Sequence, residues 1–243
     1  MAASTRGMSF RLCVACAAAV LAALSALSPA RAQNAVDLQL ILAVDASGSV
    51  DTTRFELQRK GYVAAFQDKQ VLEAVRAGAN QSIAIAMFQW TGPTLQAQIV
   101  PWTQVKDQAS AESVASLMAT TPRRLFGGGT SISGAIDYAM KWFPQSPFKS
   151  ERRVIDVSGD GSNNRGRPAQ RARDEAVAGG VVINGLPILA WEPDLDTYYK
   201  GAVIGGPGSF MIVAKDFETF ADAILKKMIL EIAGRQPIRV GKR

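Results

Sequence analysis

Histidine is missing from all 243 residues, and the only two cysteines, Cys13 and Cys16, fall in an apolar stretch near the N-terminus. These gaps exclude a Ser-His-Asp triad, a Cys-His dyad, an HExxH zinc site and a thiolate zinc cluster in the body of the chain. With no cysteine after position 16, packing rather than disulfides has to stabilise the fold. Chemistry is left to carboxylates, hydroxyls, amides, lysine, arginine and the backbone. The oxygens among these are hard ligands of the kind magnesium, manganese and calcium prefer. A phosphate-binding loop is also missing: no lysine follows Thr130 after Gly127-Gly128-Gly129, and Gly159-x-Gly161 has no third glycine. Both glycine groups read as tight turns.

Residues 1–32 have the pattern of a secretory signal. Arg6 and Arg11 stand without an acid before the apolar run Leu12 to Leu27, and Pro29 precedes the small-x-small sequence Ala30-Arg31-Ala32. The run is about 16 residues, short of the roughly 20 that a spanning helix needs, so a signal fits better than a membrane anchor. The expectation is therefore export, to the periplasm or beyond the cell, with no membrane span after cleavage. Removing the segment takes Arg6, Arg11 and Arg31 and no acid, so the formal charge falls from +6 to +3. That modest balance argues against nucleic acid as a partner. The chain then divides into a signal peptide (1–32), one domain (33–233) and a basic, flexible tail (234–243) with Arg235, Arg239, Lys242 and Arg243.

Strand-like and helix-like segments alternate through the domain. Apolar runs at 38–44, 82–88, 153–158 and 181–189 are separated by stretches of helical spacing at 52–67, 106–119, 131–143 and 168–178. Thr53 and Glu56 have the spacing of a capping box. Thr91-Gly92-Pro93 separates two strand-like runs as a hairpin would, which predicts one antiparallel edge. Residues 209–214 form a short last strand, and Asp216 opens a closing helix with Phe217, Phe220, Ile224, Met228 and Ile232 on one face. The pattern predicts an α/β fold, doubly wound, with a mostly parallel sheet and helices on both faces. Ligands of such sheets bind beyond the carboxyl ends of the strands, where strand order reverses, which points to the loops after Val44 and Ser158. The long connection 190–208 forms a rim.

The first of those loops is Asp45-Ala46-Ser47-Gly48-Ser49. Alternate side chains of an extended segment share a direction, so one carboxylate and two hydroxyls lie on the same side. A second loop offers Thr130 after its glycines. The third contains Asp156 and Asp160; Asp156 falls within the strand among apolar neighbours, so Asp160 is the loop's candidate. Few charges and several hydroxyls would leave a divalent cation net positive and short of a ligand. Asp51 reads as a helix-start residue instead.

This ordered set resembles the metal-ion-dependent adhesion site of von Willebrand factor type A domains, and the likeness covers most of residues 36–233. More narrowly, Arg152–Asn164, Ile183–Ile188 and Val203–Gly208 resemble an exported bacterial branch of that fold, a domain of unknown function. The resemblance implies a six-stranded sheet and a cation, Mg2+ or Mn2+ in preference to Ca2+, at its top. Ser47, Ser49 and Thr130 would touch the metal, with Asp45 and Asp160 acting directly or through water. A protein partner's Asp or Glu would take the open position. Asn163, Asn164, Arg165 and Arg167 on the third loop, and the aromatics Trp191, Tyr198 and Tyr199 of the long connection, are candidates for the partner-facing rim. The corresponding function is a non-enzymatic binding module. A metal-dependent phosphoesterase using the same carboxylates, and an envelope scaffold with a vestigial site, are the alternatives.

Overall fold

A computed structural model describes residues 34–234; the expected signal, residues 1–32, and the tail beyond Gly234 lie outside the described residues. Five strands form the central sheet: β1 (Gln39–Asp45), β2 (Ile83–Trp90), β3 (Gln96–Val105), β4 (Arg153–Gly159) and β5 (Val182–Pro187). Their spatial order is β3-β2-β1-β4-β5, parallel throughout except for the β2–β3 hairpin. The helices are α1 (Thr52–Gln67), α2 (Lys69–Arg76), α3 (Gln108–Thr120), α4 (Ile132–Trp142), α5 (Ala169–Ala178) and α6 (Phe220–Ile232).

Every residue of β1 is buried, as a central parallel strand requires. Its side chains alternate between two cores. Leu40, Leu42 and Val44, with Leu38 just before the strand, pack with Tyr62, Phe66, Val114, Phe220 and Met228, which belong to α1, α3 and α6. Ile41 and Ala43 pack on the other face with Ile132, Ile136 and Ala139 of α4 and Ala172 and Ala176 of α5. Burial stabilises each such large aliphatic by about 1.5–3 kcal/mol. A slip of one residue would exchange the two sets, so register is strongly specified.

The sheet has five strands rather than six. Residues 209–214 run parallel to β5 but make only two isolated bridges, Gly185 to Met211 and Ile188 to Ala214. Phe210 and Ile212 bond Gly185, and the Ala214 N–H donates to the Pro187 carbonyl at 3.0 Å. The next bond of the ladder would need an N–H at position 187, and proline has none. Three helical features also differ from expectation. The Thr53–Glu56 capping box does not form: Asp51, the expected helix-start residue, caps α1 by accepting from the Arg54 N–H at 2.9 Å, while Glu56 pairs with Arg59. Asp216 accepts from the Thr219 N–H in a turn, and α6 starts four residues later, at Phe220. Finally, α2 stands where no element was expected, capped by Asp68 and burying Val71, Leu72 and Val75.

Chain order places β2 on one side of β1 and β4 on the other. The carboxyl ends of β1 and β4 therefore flank the switch point. Among the described residues, no helix is long and apolar enough to cross a membrane.

Candidate metal centre at the switch point

The Asp45 side chain closes β1 inside the protein with no exposed surface. Its Oδ1 accepts the Ser47 N–H at 2.7 Å, which turns the chain so that Ser47 Oγ comes within 3.2 Å of Ser49 Oγ. Ser49 Oγ in turn donates to Asp160 Oδ1 at 2.6 Å, joining the loop after β1 to the loop after β4. Gln58 of α1 holds the Asp45 carbonyl at 3.2 Å. Two arginines fix the same loop from outside: Arg54 donates to the Ser49 carbonyl at 2.7 Å, and Arg123 to those of Ala46 and Ser47 at 2.9 and 3.3 Å.

The second loop reaches the site through three glycines at positive φ, 73°, 97° and 78° for Gly127, Gly128 and Gly129, a path that side chains other than glycine rarely follow. Thr130 is then tied to the third loop: its N–H donates to Asn164 Oδ1 at 2.9 Å, and its carbonyl accepts from the N–H groups of Asn164 and Arg165. A Cβ built on Gly161 would lie 3.7 Å from Thr130 Oγ1 and 3.5 Å from Glu192 Oε1. Glu192 is an addition to the expected set. It accepts from the Ser162 N–H at 3.0 Å and so brings a third carboxylate to the third loop. No spacing rule pointed to it, because it arrives from the long connection after β5.

Burial raises the Asp45 carboxyl to about 7, and the negative charge of Asp160 adds to this against the bond from Ser47. Burial also raises Asp160, opposed by Ser49 and by Arg54, while Glu192 pushes it further up. One oxygen of each acid, Asp45 Oδ2 and Asp160 Oδ2, is buried without a hydrogen-bond partner. Two like charges with desolvated, unsatisfied oxygens are a costly arrangement unless a proton or a cation compensates them. Hard carboxylate and hydroxyl oxygens suit Mg2+ or Mn2+. Among the described residues there is no cluster of three or more His, Cys, Asp or Glu side chains suited to a metal, so the fit rests on a mixed set of hydroxyls and acids.

Gly159 leaves room for this arrangement. A Cβ there would lie 2.9 Å from Asp45 Oδ2, 3.1 Å from the Tyr199 hydroxyl and 3.3 Å from the Trp90 ring. Asp45 is held by the Ser47 N–H, so relieving that contact has to disturb the acid's position. Gly159→Ala is expected to weaken cation uptake by about 10–100-fold, the usual effect of disturbing the groups that orient ligands. Calorimetric titration of the variant checks this, and affinity like that of the wild type would contradict it.

Several residues expected at the rim have other duties. Tyr199 is fully buried under the site, held in a wide helical turn (Tyr199–Val203), so it is not an exposed aromatic. Tyr198 is half-buried, and its hydroxyl accepts the Asn163 N–H at 3.3 Å. Asn163 accepts from the Ser133 N–H at 3.0 Å and donates to the carbonyls of Arg165 and Arg167, and the Asn164 side-chain Oδ1 accepts from the Thr130 N–H. Short polar side chains in a turn satisfy nearby backbone before they reach a partner. Arg167 is locked between Asp137 and Glu175, at 2.5 and 2.6 Å. Arg165 is exposed, its side chain beside Gly129, and Trp191 is 58% exposed. Asp156 lies away from the cluster, paired with Lys227 at 2.7 Å in a buried network.

The fold is shared with solved structures of low sequence identity. A von Willebrand factor type A protein from Catenulispora acidiphila aligns with a TM-score of 0.57 at 18% identity, over 82% of this chain and 43% of that one. Proximal thread matrix protein 1 from the mussel byssus, in a structure described as having a zinc-occupied MIDAS motif, aligns with a TM-score of 0.57 at 13% identity, over 82% and 46%. The pilus adhesin SpaC of Lactobacillus rhamnosus GG gives 0.58 at 14%, over 82% and 31%. The chain thus spans less than half the length of each of these proteins. No curated protein matches it. Residues 35–236 match the family described as a protein of unknown function (DUF1194), so the chain belongs to that family, and its fold is that of a von Willebrand factor type A domain.

Proposed function

We propose that this protein is an exported binding module, acting in the periplasm, that holds a divalent cation through Asp45, Ser47, Ser49, Thr130 and Asp160. The cation, Mg2+ or Mn2+, captures an Asp or Glu side chain of a partner protein. One observation carries this reading: Asp45 Oδ2 and Asp160 Oδ2 are buried and unpartnered in a cluster bound together by Ser47 and Ser49. A bound cation supplies the positive charge that these oxygens lack and, with neutral hydroxyls around it, retains attraction for one more anionic ligand. The protein's own residues orient the cluster: Ser47 N–H fixes Asp45, and Arg54 and Arg123 immobilise the loop.

The experiment is calorimetric titration with Mg2+, Mn2+, Ca2+ and Zn2+, followed by partner capture from an envelope extract with and without EDTA. Saturable uptake and EDTA-sensitive capture are expected, both lost in Asp45→Ala. Capture that survives both EDTA and the substitution would overturn the proposal.

A further inference from the structure

Five large hydrophobic residues among those described are at least 36% exposed, and the two most exposed, Phe126 at 71% and Trp191 at 58%, both belong to loops at the candidate centre. A single exposed ring is ordinary on a protein surface, but these two share a placement on loops around one polar site. Each ring rests on one of the arginines that hold the Asp45–Ser49 loop. The Arg54 guanidinium is 4.4 Å from the Trp191 ring centre and bonds the Ser49 carbonyl; the Arg123 guanidinium is 4.8 Å from that of Phe126 and bonds Ala46 and Ser47. Further rings complete the stacks, with Phe217 5.6 Å from Arg54 and Phe55 5.4 Å from Arg123. Phe126 precedes Gly127, whose Cα is 3.8 Å from a Cβ built on Gly48.

We infer that Phe126 and Trp191 form a pair of preorganised aromatic contacts for apolar side chains that flank the partner's captured acid. The partner is thus an acidic segment of protein with an apolar residue beside its Asp or Glu. This rests on the cation reading above and adds the sequence character of what is captured. Rings stacked against arginine have less freedom to lose on binding, and aromatic anchors carry a large share of interface energy. The guanidinium groups also set positive charge beside the rings, which favours an acidic segment over a basic one.

The test uses phage-displayed peptides with a fixed central Asp and randomised neighbours, selected on Mg2+-loaded protein and eluted with EDTA. Enrichment of Phe, Trp, Leu, Ile or Met within two positions of the Asp is expected. Affinity of a selected peptide should fall at least tenfold in Phe126→Ala and Trp191→Ala, with calorimetric Mg2+ uptake unchanged in both. Eluted peptides without apolar enrichment, or equal affinity for the double variant, would overturn the inference while leaving the cation reading intact. Apolar-flanked peptides that stay bound through the EDTA elution and come off only in a following acid wash would support the aromatic surface and count against the cation. Absence of both Mg2+ uptake and EDTA-eluted peptides would overturn the two together.

Discussion

Lys227→Met should destabilise the domain by about 3–5 kcal/mol, the usual result of removing one partner from a buried ion pair. For a domain of this size that is a fall in melting temperature of about 6–20 °C. The Lys227 ammonium lies 2.7 Å from Asp156 Oδ1 and 3.3 Å from Glu231 Oε1, and none of the three side chains is more than 1% exposed. Asn184 donates to Glu231 Oε1 at 2.7 Å and accepts the Phe210 N–H at 2.9 Å, which anchors the segment after β5 to the same network. The Phe210 ring lies 5.4 Å from the ammonium. Methionine fills similar space but leaves two acids buried beside each other.

Burial pushes the Asp156 carboxyl up, Lys227 pulls it down, and Glu231 pushes it up again. Without the lysine the folded Asp156 carboxyl rises further above its unfolded value. A raised acid contributes stability that is present below its unfolded pKa and lost as pH climbs through its folded pKa. The Lys227→Met protein should therefore lose stability more steeply than the wild type as pH rises from 5 to 8. Adding Asp156→Asn and Glu231→Gln removes the unpaired charge and should restore at least half of the loss. Urea denaturation at several pH values measures both effects. A loss under about 1 kcal/mol for the single variant, well below the range for a broken buried pair, would contradict the account.

Asp45→Asn should separate cation uptake from folding. Uptake should fall by at least two orders of magnitude, since the amide cannot supply the negative charge. The metal-free fold should instead gain on the order of 1–2 kcal/mol at pH 8, because an ionised, desolvated carboxylate next to Asp160 has been replaced by a neutral group. Asn keeps the acceptor for the Ser47 N–H. In the wild type, the carboxyl near 7 makes the metal-free protein less stable as pH rises through neutrality. Cation uptake must displace that proton below pH 7, so apparent affinity should weaken with acidity by up to about tenfold per pH unit. Parallel calorimetry and thermal melts at pH 6 and 8 check both signs. An Asn variant that binds as tightly as the wild type would remove Asp45 from the centre.

The sequence by itself determined the layered α/β fold and pointed to the loops that carry the candidate site. Near-continuous apolar runs can be covered only from both faces, and the switch-point rule directs attention to the loops after β1 and β4 without any coordinates. The pattern Asp45-x-Ser47-x-Ser49 was legible because its groups are close in sequence. Asp156 was also readable as a buried acid within its strand. Its partner sits 71 residues away on the apolar face of α6, where a lysine gives no periodic signal. Tertiary structure alone decided which hydroxyl meets which acid, that Glu192 joins the third loop, that Tyr199 turns inward and Phe126 outward, and that Pro187 interrupts the sixth strand's pairing. Those outcomes depend on contacts between distant segments and on which hydrogen bonds remain available after the sheet has formed, and neither is a local property of the chain.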